Sequence, residues 1–142
     1  MALADLNPRS TLKFLLNADA TTAAGKLLTI NGADSDTNGV TTLQVATAAT
    51  QVPVGIVVVG AASDSGSYPG YATSCEIYDT LIGCFDGALA GGTITSGAAV
   101  EVDSTGRFIV ATPSAGDFVI GFAMTGAAAG EQFTIKFAVT KF

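Results

Sequence analysis

Two short apolar stretches dominate the pattern of hydrophobic and polar positions along the chain. Residues 52–62 read VPVGIVVVGAA and residues 118–128 read FVIGFAMTGAA, and the two align at a constant offset of 66 residues. Both are too short to span a membrane, rich in β-branched residues and interrupted by glycine, which favours buried strands over helices. The repeat predicts two related β units, in which Gly55 and Gly121 permit close packing or a bulge.

Alternation and turn residues predict the other strands of the first half. Residues 26–30 form a strand, residues 31–39 are rich in Asn, Asp, Ser and Gly, and residues 40–47 alternate as a returning strand. Turn residues of these types between two such runs are typical of a β-hairpin. Alternation resumes at residues 72–78, and the apolar residues 81–85 follow as a further strand.

The second half begins with a glycine-rich bend at residues 87–92. Residues 99–111 predict a hairpin with its turn at 103–106. In residues 131–139 apolar and polar positions alternate strictly, which is typical of a half-buried strand. Its apolar face carries Phe133, Ile135, Phe137 and Val139. The predicted fold class is therefore all-β with little helix, a compact β-barrel or β-sandwich built from two similar β units.

The chain divides into an N-terminal arm and a single β domain. Residues 1–24 hold one apolar stretch between small polar flanks that have little core of their own, which favours an extended arm, with an ordinary first strand as the alternative. Residues 25–142 form the β domain, with one unit at about 25–86 and the other at about 87–142.

The arm supplies the candidate partner-binding residues. An unpaired arm gains most by docking through apolar anchors, because their burial is what lowers the free energy. We therefore predict that the binding contacts come from Leu6, Pro8, Leu12 and Phe14. Each of them could equally belong to a core.

Composition indicates a chain that is covered by partners. Hydrophobic residues make up 49% and charged residues 13% of the sequence, and the net charge is −6. Low surface charge with exposed apolar area marks interaction surfaces. The six Lys and Arg residues are scattered without a basic stripe, which argues against nucleic acid as a partner. No apolar run has the length of a membrane helix or of a signal-peptide core, so we expect a soluble protein, made in a cytoplasm, with no membrane partner.

Catalytic chemistry finds little support. The sequence has no His, no Gly-x-Ser-x-Gly elbow and no phosphate-binding glycine loop, so we predict a protein that is not an enzyme, with no catalytic or cofactor-binding residues and no cofactor. Asp34, Asp36, Asn38 and Gly39 match the first half of a calcium loop, but Val45 stands where that loop needs a bidentate Glu. No metal site is predicted, and calcium binding at this turn stays open.

Two thiols complete the candidate chemistry, at Cys75 and Cys84. Without a secretion signal, reduced cysteines that behave as small apolar residues are the default. A disulfide between them is the alternative.

Several short motifs carry a resemblance to a known family. In the first half they are Val54-Gly55-Ile56, Ala61-Ala62, Tyr78 and Gly83-Cys84-Phe85, and in the second Val100, Val102, Asp103-Ser104, residues 107–111, Ile120-Gly121 and Ala127-Ala128. In this order they resemble the head decoration, or cement, proteins of tailed bacteriophages, typified by the lambdoid decoration protein.

The resemblance implies a structural function. Such proteins are β-rich and form homotrimers on the outer surface of the phage head, where they stabilise the shell of major capsid protein. Their N-terminal arm adds a strand to a capsid sheet, a mode in which main-chain hydrogen bonds supply affinity. The resemblance thus implies a virion location, with synthesis in the bacterial host cytoplasm.

Two other classes of function are alternatives. A virion- or cell-surface binding module, such as a carbohydrate-binding β-sandwich or a fibre domain, would display exposed aromatic residues, and Tyr68 and Tyr71 flank Pro69. A hydrolase or calcium-dependent enzyme on a β scaffold is the other, although no pair of carboxylates is singled out for it.

Overall fold

The computed structural model describes residues 15–16, 20–30, 42–62, 72 and 75–142. Within these residues the chain forms β-strands and no helix. The strands are β1 (Leu15–Leu16), β2 (Leu27–Ile30), β3 (Thr42–Val45), β4 (Pro53–Val59), β5 (Glu76–Tyr78), β6 (Cys84–Leu89), β7 (Ala99–Val102), β8 (Phe108–Val110), β9 (Phe118–Ala123) and β10 (Gln132–Lys141). In this described part, no helix is long and apolar enough to cross a membrane.

The strands form two five-stranded sheets, which we call the first and second sheet. The first has the order β1-β3-β2-β4-β5 and the second the order β6-β10-β9-β7-β8. All pairs of neighbouring strands are antiparallel except β1 and β3, which are parallel. The sheets make a sandwich-like fold, not a closed barrel. The all-β prediction is confirmed, and of the two predicted forms the sandwich is the one observed.

A core between the two sheets holds them together. The first sheet contributes Leu27, Ile56 and Tyr78, and the second contributes Val100, Phe108, Ile120, Phe133 and Ile135. Burying each of the large side chains stabilises the fold by roughly 1.5–3 kcal/mol. Phe108 and Phe133 meet edge to face at 5.8 Å between ring centroids, a geometry that aromatic rings prefer.

A second core lies on the other side of the first sheet. Leu28, Leu43, Val57 and Ile77 are buried there with Leu16, Ala20, Ala23 and Ala72. Strands β2 and β4 are therefore covered on both faces, which explains why they read as continuous apolar runs without alternation. The prediction that residues 52–62 contain a buried strand is confirmed, because Gly55, Ile56 and Val57 of β4 are buried.

Gly55 and Gly121 lie where a neighbouring backbone comes very close. A Cβ atom at Gly55 would stand 2.6 Å from the carbonyl oxygen of Tyr78 on β5, and a Cβ atom at Gly121 would overlap the carbonyl oxygen of Lys136 on β10. Gly121 also adjoins the register shift of β10 between Phe137 and Thr140. The predicted role of both glycines is confirmed.

The strict alternation predicted for residues 131–139 is wrong at its end. Phe133, Ile135 and Phe137 are buried, but Val139 is 40% exposed. Val139 lies inside the register shift of β10 and beyond Lys136, the last residue that pairs with β6. Neither neighbouring strand covers its side chain.

The boundaries of β6 also differ from the prediction. The strand begins at Cys84 and not at residue 81, and it continues through Gly87 to Leu89 where a bend was predicted. Gly87 is skipped in the pairing of β6 with β10 and has a φ of 136°, so it forms a bulge inside the strand. The predicted bend is confined to the residues after Leu89.

The predicted arm and the two-unit division remain predictions. Leu15–Leu16 of the predicted arm pairs with β3, and Ala20 and Ala23 are buried in the second core. The β4 and β9 strands each lie between two others of their own sheet, and the predicted boundary near residue 86 falls inside β6.

Candidate docking surfaces

The predicted capsid-binding residues Leu6, Pro8, Leu12 and Phe14 lie outside the described residues, as do Asp34, Asp36, Asn38, Tyr68 and Tyr71. The nearest described part of the chain is β1. Leu16 exchanges two backbone hydrogen bonds with Ala72, at 3.2 and 2.8 Å, while its other side pairs with β3. Any contact made by residues 1–14 therefore starts from a point fixed to the first sheet.

An apolar groove of about 300 Å³ opens on the second sheet, on the side away from the first sheet. We call it the outer groove. Its lining consists of small and apolar side chains together with one hydroxyl: Ala99, Ala111, Pro113, Val119, Phe122, Ala138, Thr140 and Phe142. Exposed apolar surfaces of this kind mark interaction sites on soluble proteins.

Strand pairing explains the shape of the groove. Ala99 of β7 pairs with Phe122 of β9, and Val119 of β9 pairs with Thr140 of β10. The small side chains form a recess, while Phe122 and Phe142 remain 48% and 58% exposed beside it. A rigid recess bordered by projecting rings is able to accept apolar side chains of a partner.

Backbone hydrogen bonds hold the end of the chain against this groove. The Gly116 N–H donates to the carbonyl oxygen of Phe142 at 2.7 Å, and the Phe142 N–H donates to Asp117 at 2.8 Å. The Ser114 N–H donates to Asp117 Oδ2 at 2.7 Å, which closes the loop that carries Pro113. The groove wall is thus preorganised.

The apolar surface continues along β9 and β10 beyond the groove. Lys136 pairs with Phe122 on one side and with Cys84 on the other. Met124 is 51% exposed, and its sulfur lies 3.3 Å from the sulfur of Cys84. Asp86, on the adjoining strand, accepts a hydrogen bond from the Thr134 hydroxyl at 3.1 Å. The face therefore carries opposite charges, Lys136 and Asp86, beside an uncharged groove.

Both cysteines are free thiols. Cys84 is exposed, and Cys75 is half-buried. Burial raises the pKa of the Cys75 thiol, against a smaller opposing effect of a backbone hydrogen bond. In the described ranges no three His, Cys, Asp or Glu side chains are grouped so as to hold a metal ion.

Asp103 is the described carboxylate with the most local partners. Its Oδ1 accepts hydrogen bonds from the Thr105 N–H and hydroxyl, both at 2.7 Å, and from the Arg107 N–H at 3.1 Å. Burial by itself would raise the pKa of Asp103, but these hydrogen bonds and the Arg107 guanidinium outweigh it and hold the pKa below its usual value. All of these partners belong to the turn between β7 and β8, so Asp103 stabilises that turn.

The comparisons with known proteins agree with a phage head protein. Residues 74–139 match the phage cement protein family. The fold resembles the N base of head fiber gp8.5 in bacteriophage phi29, with a TM-score of 0.63 and 16% sequence identity over 89% of this chain and 93% of that chain. No curated protein matches the sequence.

The family match confirms the resemblance to phage head decoration proteins and supports a capsid-associated structural role. It also indicates a location on the virion capsid. The structural likeness, at 16% identity, shows that the two chains share a fold. The matched segment runs from before β5 into β10 and contains most of the outer groove.

Sequence reasoning missed the outer groove. The apolar run at residues 118–128 was assigned to a buried strand, yet Phe122 in its middle is exposed. The alternation of β10 carries the available signal, because it directs Lys136, Ala138 and Thr140 away from the core. Only the pairing of β10 with β9 reveals that Phe122 lies on the same outward side as these residues.

Proposed function

We propose that this chain is a decoration protein that binds the outer surface of a bacteriophage head and stabilises the shell of major capsid protein. The match of residues 74–139 to the phage cement protein family carries the proposal. The fold it shares with the N base of a phage head fiber supports it. The role is structural and not enzymatic, in keeping with a sequence that contains no His.

The proposed partners are the major capsid protein and further copies of this chain in a homotrimer. Nucleic acid and membranes are not partners, because the chain carries a net charge of −6 and only six basic residues. The protein is synthesised in the cytoplasm of the bacterial host and assembles onto the head from outside.

The N-terminal arm makes the contact with the shell. Leu6, Pro8, Leu12 and Phe14 are the proposed apolar anchors, and the main chain around them adds a strand to a capsid sheet. Each Leu or Phe buried in this way contributes roughly 1.5–3 kcal/mol. Because Leu16 is fastened between β3 and Ala72, force on the arm passes directly into the first sheet.

A trimer strengthens this attachment through multivalency. Three arms on one body bind neighbouring capsid subunits, so that dissociation requires all three to release together. A body that joins several subunits in this way resists their separation under the pressure of packaged DNA.

Co-sedimentation with purified heads tests the proposal. The full chain is expected to pellet with heads that lack their own decoration protein and to raise the temperature at which those heads release DNA. A variant without residues 1–13 keeps β1 intact and is expected to lose binding. The matched control is the unfolding free energy of that variant, which should equal that of the same residues in the full chain.

Two results would contradict parts of the proposal. Failure of the full chain to bind any head would overturn the decoration function. Binding by the truncated chain with unchanged affinity would keep that function and overturn the role of the arm.

A further inference from the structure

We propose that the outer groove is the contact surface between copies of this chain. The inference rests on the proposed homotrimer only for the number of copies, because the surface itself follows from the shape, charge and coverage of the two sheets. The occupant of the groove on one copy is the apolar edge formed by Phe122 and Met124 on the next copy.

Coverage of the sheets restricts the choice of surface. The side of the first sheet that faces away from the second is already buried in the second core, where Leu28, Leu43 and Val57 lie. The corresponding side of the second sheet is the one that leaves Phe122, Met124 and Phe142 about half exposed. In the described part of the chain, the second sheet is therefore the one with an apolar face still open to a partner.

The shape of this face is self-complementary. The recess over Ala99, Ala138 and Thr140 lies directly beside the projecting side chain of Phe122, and Met124 follows two residues later on the same side of β9. A knob and a hole on one surface allow each copy to insert its own knob into its neighbour. This is the requirement for a closed ring or a two-fold pair made from identical chains.

Charge also favours a second copy over an unrelated partner. Two chains that each carry −6 repel one another, so they associate most easily through a face without net charge. The outer groove has no charged side chain in its lining. Beside it, Lys136 and Asp86 carry opposite charges on adjoining strands, so that two copies of this face present each other with balanced charges.

The contact needs side-chain packing and no strand exchange. Both β9 and β10 are interior strands of the second sheet, so their main chains are already paired on two sides. The hydrogen bonds between Gly116, Asp117 and Phe142 fix the groove wall before association. A preformed surface loses little conformational entropy on binding.

Sedimentation equilibrium without phage heads tests the inference, with the full chain between about 1 μM and about 1 mM. The wild-type chain is expected to form trimers. Phe122→Glu removes the knob, and the new carboxylate faces Lys136 across the strand pair, which preserves the fold. Thr140→Arg instead fills the recess. Each variant is expected to weaken association by about tenfold or more.

Ile82→Glu is the matched control. Ile82 is 66% exposed, lies outside the outer groove, and contacts Thr80 and Tyr78 only through its backbone. This variant is expected to associate as the wild type does. Equal weakening by Ile82→Glu, or unchanged association of both groove variants, would overturn the inference.

The remaining outcomes separate this inference from the decoration function. A wild-type chain that stays monomeric over the whole range overturns the contact between copies, even if it binds heads. Dimers that dissociate in both groove variants support the surface and overturn the number of three. Loss of head binding without any self-association in solution would assign the groove to the shell and contradict a second copy as its occupant.

Discussion

Asp103 shows how one side chain organises a connection in this fold. Its carboxylate accepts three hydrogen bonds within the turn and lies 3.3 Å from the Arg107 Nε. Asp at the start of a turn stabilises it by such bonds to the following residues. The sequence predicted this turn, because its residue types determine the local geometry without help from distant residues.

The Asp103 contribution to stability is expected to depend on pH. Because its pKa is lowered in the folded state, the contribution is present above the unfolded pKa of about 3.9 and is lost as the pH falls through the folded value. Asp103→Ala is expected to lower the unfolding free energy at neutral pH by about 1.5–3 kcal/mol. Urea unfolding at pH 7 and at about pH 3 measures this difference, which should shrink in acid.

Asp103→Asn is the control for that measurement. Asparagine keeps an oxygen that accepts hydrogen bonds from Thr105 but does not titrate. The advantage of the wild type over Asp103→Asn should decline in acid, whereas the difference between Asp103→Asn and Asp103→Ala should not. An advantage of the wild type that is the same at both pH values would refute the assignment.

At the level of elements, the turn between β7 and β8 also joins the two sheets. The carbonyl oxygen of Gly106 accepts a hydrogen bond from the Leu27 N–H of β2 at 2.9 Å. A Cβ atom at Gly106 would overlap Val45 of β3 and stand 3.0 Å from the carbonyl oxygen of Ala46. The turn therefore contacts two strands of the first sheet, and its residue 106 has no space for a side chain.

Gly106→Ala is expected to destabilise the fold more than Gly97→Ala. Both glycines have positive φ, 80° and 87°, so each substitution costs about 1–2 kcal/mol in backbone strain. Gly97 has nothing within 4 Å of an added Cβ, whereas Gly106 meets the first sheet. Overpacking there adds about 1–3 kcal/mol. Urea unfolding compares the two variants, and equal losses would mean that the sheets separate easily at this junction.

At the scale of the whole molecule, the chain combines a high negative charge with an apolar face. Its net charge is −6, yet the outer groove is uncharged. Repulsion between copies acts over the whole surface, while attraction comes from one short-ranged apolar contact. The strength of self-association is therefore set by two effects that respond differently to salt.

Association of the copies is expected to tighten as salt is added. Raising the ionic strength from about 0.01 M to about 0.15 M shortens the Debye length from about 30 Å to about 8 Å, which screens repulsion and leaves apolar packing intact. Sedimentation equilibrium at the two salt concentrations measures the change in dissociation constant. Weaker association at the higher salt would mean that ion pairs, for example Lys136 with Asp86, dominate the contact.

Several elements could be predicted from the sequence because they depend on neighbouring residues. The hairpin of β7 and β8 and the start of β10 follow from two-residue alternation and from turn residues. The roles of Gly55 and Gly121 could be anticipated because a glycine inside a strand often marks a close backbone approach. The capsid-associated class of function could be predicted because short motifs and composition persist without any knowledge of the fold.

The sequence by itself determined that this protein is made of short β-strands, which strand faces are apolar, and where the tight turns fall. Only the tertiary structure decided that β6 joins β10, that a register shift leaves Val139 exposed, and that Phe122 borders a groove with Phe142. The physical reason is that alternation is a property of adjacent residues. Pairing, register and the covering of an apolar face depend on residues far apart along the chain, which meet only when the sheets assemble.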